Sequence, residues 1–109
     1  MIISNPYQKK NSIKQNTEVL LRHFNITVTG KVQGVFYRAS TQTQANKLGL
    51  NGFVRNEPNG DVYIEAEGEE TEVQKLVDWC SIGPPNAIVD EVRVLDGEVK
   101  NLSGFSIKR

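Results

Sequence analysis

The chain is short of the side chains from which many active sites are built. Its single cysteine, Cys80, precludes an intramolecular disulfide and a Cys-rich zinc site. A single histidine, His23, argues against a His-built metal centre or a histidine relay, and its place before the first strand-like run reads as a solvated flank. No apolar run approaches the roughly 18 residues that a membrane helix needs. Neither sign of charge is in excess, since 13 Lys and Arg balance 13 Asp and Glu. Binding to a nucleic-acid backbone normally calls for a basic surplus. These shortages point away from metal, membrane and nucleic acid, and the simplest compartment is the cytoplasm.

What is present suits one soluble globular domain: 109 residues, 38% hydrophobic and 24% charged. Residues 1–22 stand apart. They are rich in Asn, Gln and Lys, their apolar residues keep no period, and they resemble neither a signal peptide nor a transit peptide. We read them as a polar, disordered N-terminal extension with at most a short helix in "NTEVLL", leading into a folded domain over 23–109.

Within that domain, "FNITVTGKV" alternates Phe24, Ile26 and Val28 with Asn25, Thr27 and Thr29, the pattern of a strand with one buried face. Beyond the Gly30–Gly34 loop, Tyr37, Thr41, Ala45 and Leu48 recur near helical spacing, and Gly49 provides a stop. "NGFVRN" predicts a second strand and "EPNG" a tight hairpin. "DVYIEAEG" predicts a third strand with Val62, Ile64 and Ala66 on one face and Tyr63, Glu65 and Glu67 on a solvated one. Glu69, Glu70 and Glu72 suit the first turn of a second helix, whose apolar stripe is Val73, Leu76, Val77 and Cys80 and which ends at "GPP". "AIVDEVRVL" predicts a fourth strand and "GFSIK" a short closing one. The order β-α-β-β-α-β is the split-βαβ plan of ferredoxin-like α+β folds. Right-handed crossovers then set both helices on one face of an antiparallel sheet.

Two residues invite a chemical reading. Arg38 falls in the first turn of the first helix, where the positive end of the helix disfavours a cation by up to about 1 kcal/mol. The glycine-containing loop before it, with the unpaired amides of a helix start, can form a concave nest of N–H donors for an anion. With a phosphate bound there the sign reverses, because charge-assisted hydrogen bonds from the guanidinium are worth roughly 1.5–3 kcal/mol each. The plainer alternative is that Arg38 turns outward to a surface carboxylate, worth about 0–1 kcal/mol. The spacing is not that of a P-loop. Asn56, beside "EPNG", is on local grounds a turn former, although the split-βαβ plan can bring it near the loop that starts the first helix.

"GKVQGVFYR", "A.KLGL.GFVRN", "NGDVYIEAEG", "GPP.A.V..V" and the terminal "FSIKR", in this order and spacing, resemble the acylphosphatase family from about Phe24 to Arg109. One departure is Phe36, where microbial members often carry glycine. The resemblance implies hydrolysis of the carboxyl–phosphate bond of a small-molecule acyl phosphate; a carboxylate leaving group needs no metal or cofactor, and we expect a monomer. It implies that the loop of Gln33, Gly34, Val35, Phe36 and Tyr37 binds the phosphoryl group through backbone amides. Arg38 would hold that group with its guanidinium, and Asn56 would position the attacking water. The alternatives are a non-catalytic phosphate-binding or regulatory module, an accessory domain of a larger enzyme, and an RNA-binding ferredoxin-like domain with Phe53 and Tyr63 as its aromatics.

Overall fold

A computed structural model describes residues 19–109. The expected extension lies outside the described residues up to position 18, as does the start of the "NTEVLL" helix; Leu21, at its end, already belongs to a strand. Seven elements follow: β1 (Leu21–Lys31), α1 (Tyr37–Lys47), β2 (Asn51–Asn56), β3 (Val62–Glu69), α2 (Glu70–Cys80), β4 (Ile88–Gly97) and β5 (Phe105–Lys108). They form one five-stranded sheet in the order β4-β1-β3-β2-β5.

The alternating pattern decides which face is covered. Phe24, Ile26 and Val28 of β1 and Val62, Ile64 and Ala66 of β3 are buried, in a register that sets Ile26 opposite Ile64. Both helices lie on that face, α1 over β2 and β5 and α2 over β1, β3 and β4. Helix α2 contributes Val73, Leu76 and Cys80 to the core, and α1 contributes Tyr37, Thr41 and Ala45. The small side chains of α1 let it settle close to the sheet, and the Thr41 hydroxyl is satisfied by the Tyr37 carbonyl at 2.8 Å. Gly52 shows how tight the strand packing is, since a Cβ there would sit 1.9 Å from the Glu65 carbonyl oxygen.

Three expectations change. The closing strand is not antiparallel to its neighbour: β5 pairs with β2 in parallel, which makes the sheet mixed. β4 and β5 occupy opposite edges, so the segment between them must cross the sheet before pairing. Glu67 is not solvated but only 4% exposed, and its carboxylate accepts hydrogen bonds from the backbone N–H groups of Lys100, Asn101 and Leu102 in that crossing segment. His23, rather than flanking the first strand, is buried inside it, with Nε2 2.9 Å from Glu65 Oε1. Glu65 also accepts from the Tyr63 hydroxyl at 2.7 Å. Period-2 alternation identifies the second face of a sheet but carries no signal for a loop that will later fold over it.

Candidate active site

β1 and β2 are each antiparallel to β3, and β5 is parallel to β2. The C-terminal ends of β1, β2 and β5 therefore converge at one end of the sheet, where α1 begins. Lys31 leads into the loop, Asn56 closes β2, and Arg109 follows β5.

The loop is shaped by which of its side chains reach the core. Val32, Val35 and Tyr37 are buried, whereas Phe36 is 80% exposed. The Tyr37 hydroxyl donates to the Cys80 carbonyl at 2.7 Å and its ring packs against Trp79, which fixes the first residue of α1. To turn between these anchors the backbone enters the left-handed region twice, at Gly34 (φ 74°) and at Phe36 (φ 66°, ψ 24°). The glycine adopts that conformation freely, while a bulky residue is strained in it. The position where glycine is common in the resembled family is thus one with positive φ.

Phe36 is also the N-cap of α1, and its side chain makes no capping hydrogen bond. The first helical hydrogen bond runs from Ser40 N–H to the Phe36 carbonyl, at 3.0 Å. The N–H groups of Tyr37, Arg38 and Ala39 therefore have no intrahelical acceptor. No backbone acceptor serves the amides of Gln33 through Phe36 either, among the described residues. Seven consecutive amides, Gln33 to Ala39, thus lack a backbone acceptor among the described residues, beside a helix end that carries partial positive charge.

No carboxylate lies within 4.0 Å of Arg38 among the described residues, so the surface ion pair considered from sequence does not form. Among the described residues, the one hydrogen bond of its guanidinium is a long contact of 3.4 Å from Nη1 to the Lys108 carbonyl at the end of β5. The Asn56 Oδ1 atom is buried without a hydrogen-bond partner among the described residues. Arg38, Asn56, Gly34 and Phe36 line one cavity of about 340 Å³. Of the expected loop residues, Gln33 and Val35 do not line it: Val35 faces the core and Gln33 reaches to the hairpin after β2.

The acylphosphatase family model matches residues 24–107. An acylphosphatase of Marinobacter nauticus is 53% identical over 72 residues, which is 66% of this chain and 78% of that protein. The chain belongs to the acylphosphatase family. The solved acylphosphatase of Coxiella burnetii superposes with a TM-score of 0.79 at 39% identity, over 81% of this chain and 93% of that one. That of Bacillus subtilis also gives 0.79, at 35% identity, over 83% of this chain and 100% of that one.

Four cavity residues escaped the sequence reading as candidates, Val32 and Ala39 beside the loop and two more that follow β4. Ile107 and Arg109 reach the cavity through the parallel closing strand. The terminal "FSIKR" was visible as part of the acylphosphatase pattern. Its arrival beside the loop depends on β5 pairing with β2, which no local signal announces. The aromatics considered for RNA stacking, Phe53 and Tyr63, lie 6.1 Å apart. Their ring faces are already engaged by Lys108 and Arg55, at 4.0 and 4.7 Å.

Proposed function

We propose that this chain hydrolyses the carboxyl–phosphate bond of small acyl phosphates to a carboxylate and inorganic phosphate, as a metal-independent, cytoplasmic, monomeric enzyme. The observation that carries the assignment of roles is the shared cavity. Among the described residues, an arginine without a carboxylate partner and an asparagine oxygen without a hydrogen-bond partner line it together with Gly34, Phe36, Tyr37 and Ala39, whose amides have no backbone acceptor. In this reading the Gln33–Arg38 amides and the Arg38 guanidinium hold the three phosphoryl oxygens. Asn56 Oδ1 accepts a hydrogen bond from the water and orients it.

The water oxygen bonds to phosphorus as the bond from phosphorus to the acyl oxygen breaks, and that bonding pair leaves on the carboxylate. The parent acid of such a leaving group has a pKa of about 4, so no general acid is required. A phosphoryl oxygen can take the proton released by the water. A loose transition state of this kind chiefly needs positioning and charge stabilisation, which the amides and the guanidinium supply. The free thiol of Cys80 is buried and burial pushes its pKa up to about 12, which keeps it out of nucleophilic chemistry.

The test is benzoyl phosphate hydrolysis by the purified full-length chain with a metal chelator present. The expected outcome is turnover in the wild type and a loss of about 10²–10³-fold in Arg38→Ala, the scale of removing one oxyanion donor. An inactive wild type, or full activity in Arg38→Ala, overturns the proposal. Phosphate binding without turnover would instead identify a non-catalytic module.

A further inference from the structure

Gln33 uses its side chain for something other than the cavity. Its Nε2 donates to the carbonyl oxygens of both Glu57 and Asp61, each at 2.8 Å, which employs both amide protons. Glu57 directly follows Asn56, and Asp61 directly precedes β3. The same two carbonyls also accept bonds within the hairpin, Asp61 from Glu57 N–H at 2.8 Å and Glu57 from Gly60 N–H at 3.1 Å. Gln33 therefore clasps the base of the hairpin from outside. Among the described residues, no other side-chain hydrogen bond joins the 33–38 loop to the 57–61 turn.

We infer that Gln33 is a positioning residue that couples the two halves of the proposed site, setting Asn56 against the phosphoryl-binding amides. This rests on the hydrolytic reading above. The backbone of Gln33 belongs to one half, and its side chain grips the residue next to the other. The sheet pairs Val28 of β1 and Asn56 of β2 with Val62 of β3, which sets the hairpin base near the end of β1, but neither ladder extends to the 33–38 loop itself. Gln33 makes that connection. Misplacing reacting groups by about 1 Å can cost on the order of 10²-fold in rate, so losing the clasp should act on turnover more than on phosphate affinity.

The experiment is a double-mutant cycle in the full-length chain. Wild type, Gln33→Met, Asn56→Ala and the double variant are compared for kcat and KM with benzoyl phosphate, and for the inhibition constant of inorganic phosphate. Gln33→Met keeps the side-chain length and removes both donors. It should lower kcat by about 10–100-fold, with the phosphate constant changing by less than about threefold. In the Asn56→Ala background the same substitution should cost less than about threefold, because the residue it acts through is gone. An equal cost in both backgrounds, or phosphate binding that weakens in step with kcat, overturns the inference. Melting curves place the assay well below every midpoint, and a rate loss that merely follows the folded fraction counts against it as well. Should Gln33→Met fail to fold, Gln33→Glu, which also removes the NH2 group, decides in the same cycle. An inactive wild type defeats the hydrolytic reading and this inference together, whereas an unimpaired Gln33→Met beside an active wild type defeats only the clasp.

Discussion

Arg38 and Phe36 both occupy positions that their side chains disfavour. Arg38 sits in a first turn without acidic residues, and Phe36 holds a left-handed backbone while four-fifths exposed. The left-handed conformation costs a non-glycine residue about 1–2 kcal/mol, and glycine gives back roughly half of that through its freer unfolded state. Phe36→Gly should therefore raise stability by less than about 1 kcal/mol, read as a small upward shift of the urea midpoint at constant slope. Asn56→Ala removes an acceptor that has no protein partner among the described residues, so its folding cost should be small, within about 0.5 kcal/mol. Turnover should nevertheless fall while phosphate inhibition persists. A variant that loses phosphate binding along with turnover would contradict the water-positioning role. At Cys80, the buried thiol should resist a thiol reagent in the native protein and react once denatured.

Among the elements, the crossing segment between β4 and β5 has the most specific attachment. One carboxylate, Glu67 of β3, gathers three successive backbone N–H groups. Burial alone would raise its pKa, but those N–H bonds outweigh burial and, with help from His23, hold it below the ordinary 4.5. Glu67→Gln keeps an acceptor but loses the charge, and should destabilise by about 1–3 kcal/mol in equilibrium unfolding. Amide exchange at Lys100–Leu102 should rise with it. The same segment delivers β5, and hence Ile107 and Arg109, to the cavity. Loosening it is expected to reduce activity as well, even though Glu67 is absent from the cavity lining.

For the whole molecule, acid sensitivity follows from the same carboxylates. Burial pushes the Glu65 carboxyl up, but hydrogen bonds from Tyr63 and His23 and the charge of Lys100 bring it below 4.5, in the same direction as Glu67. Both groups bind protons more readily in the unfolded chain. Stability from them is complete above about 4.5 and is lost as pH falls through the lower folded values. Unfolding midpoints should be flat from neutral pH down to about 5 and then drop, and Glu67→Gln should make the acid limb shallower. A wild type whose stability rises on acidification would contradict this.

The order and class of the elements, the core residues and the family pattern were legible in the sequence, because each rests on local periodicity, turn chemistry or a contiguous motif. Arg38 announced itself as a cation at the wrong end of a helix. Asn56 did not, since beside a hairpin an asparagine is explained by the turn alone, and only the strand directions brought it to the loop. His23, Glu67, Arg109 and the side chain of Gln33 were misread or passed over for one shared reason. Their partners lie tens of residues away in the sequence, across a crossing segment, a parallel closing strand or the base of a hairpin. The sequence by itself determined which elements form and which face of each is apolar, because those are nearest-neighbour properties of the chain. Only the tertiary structure decided which polar groups meet, because that depends on strand order and direction.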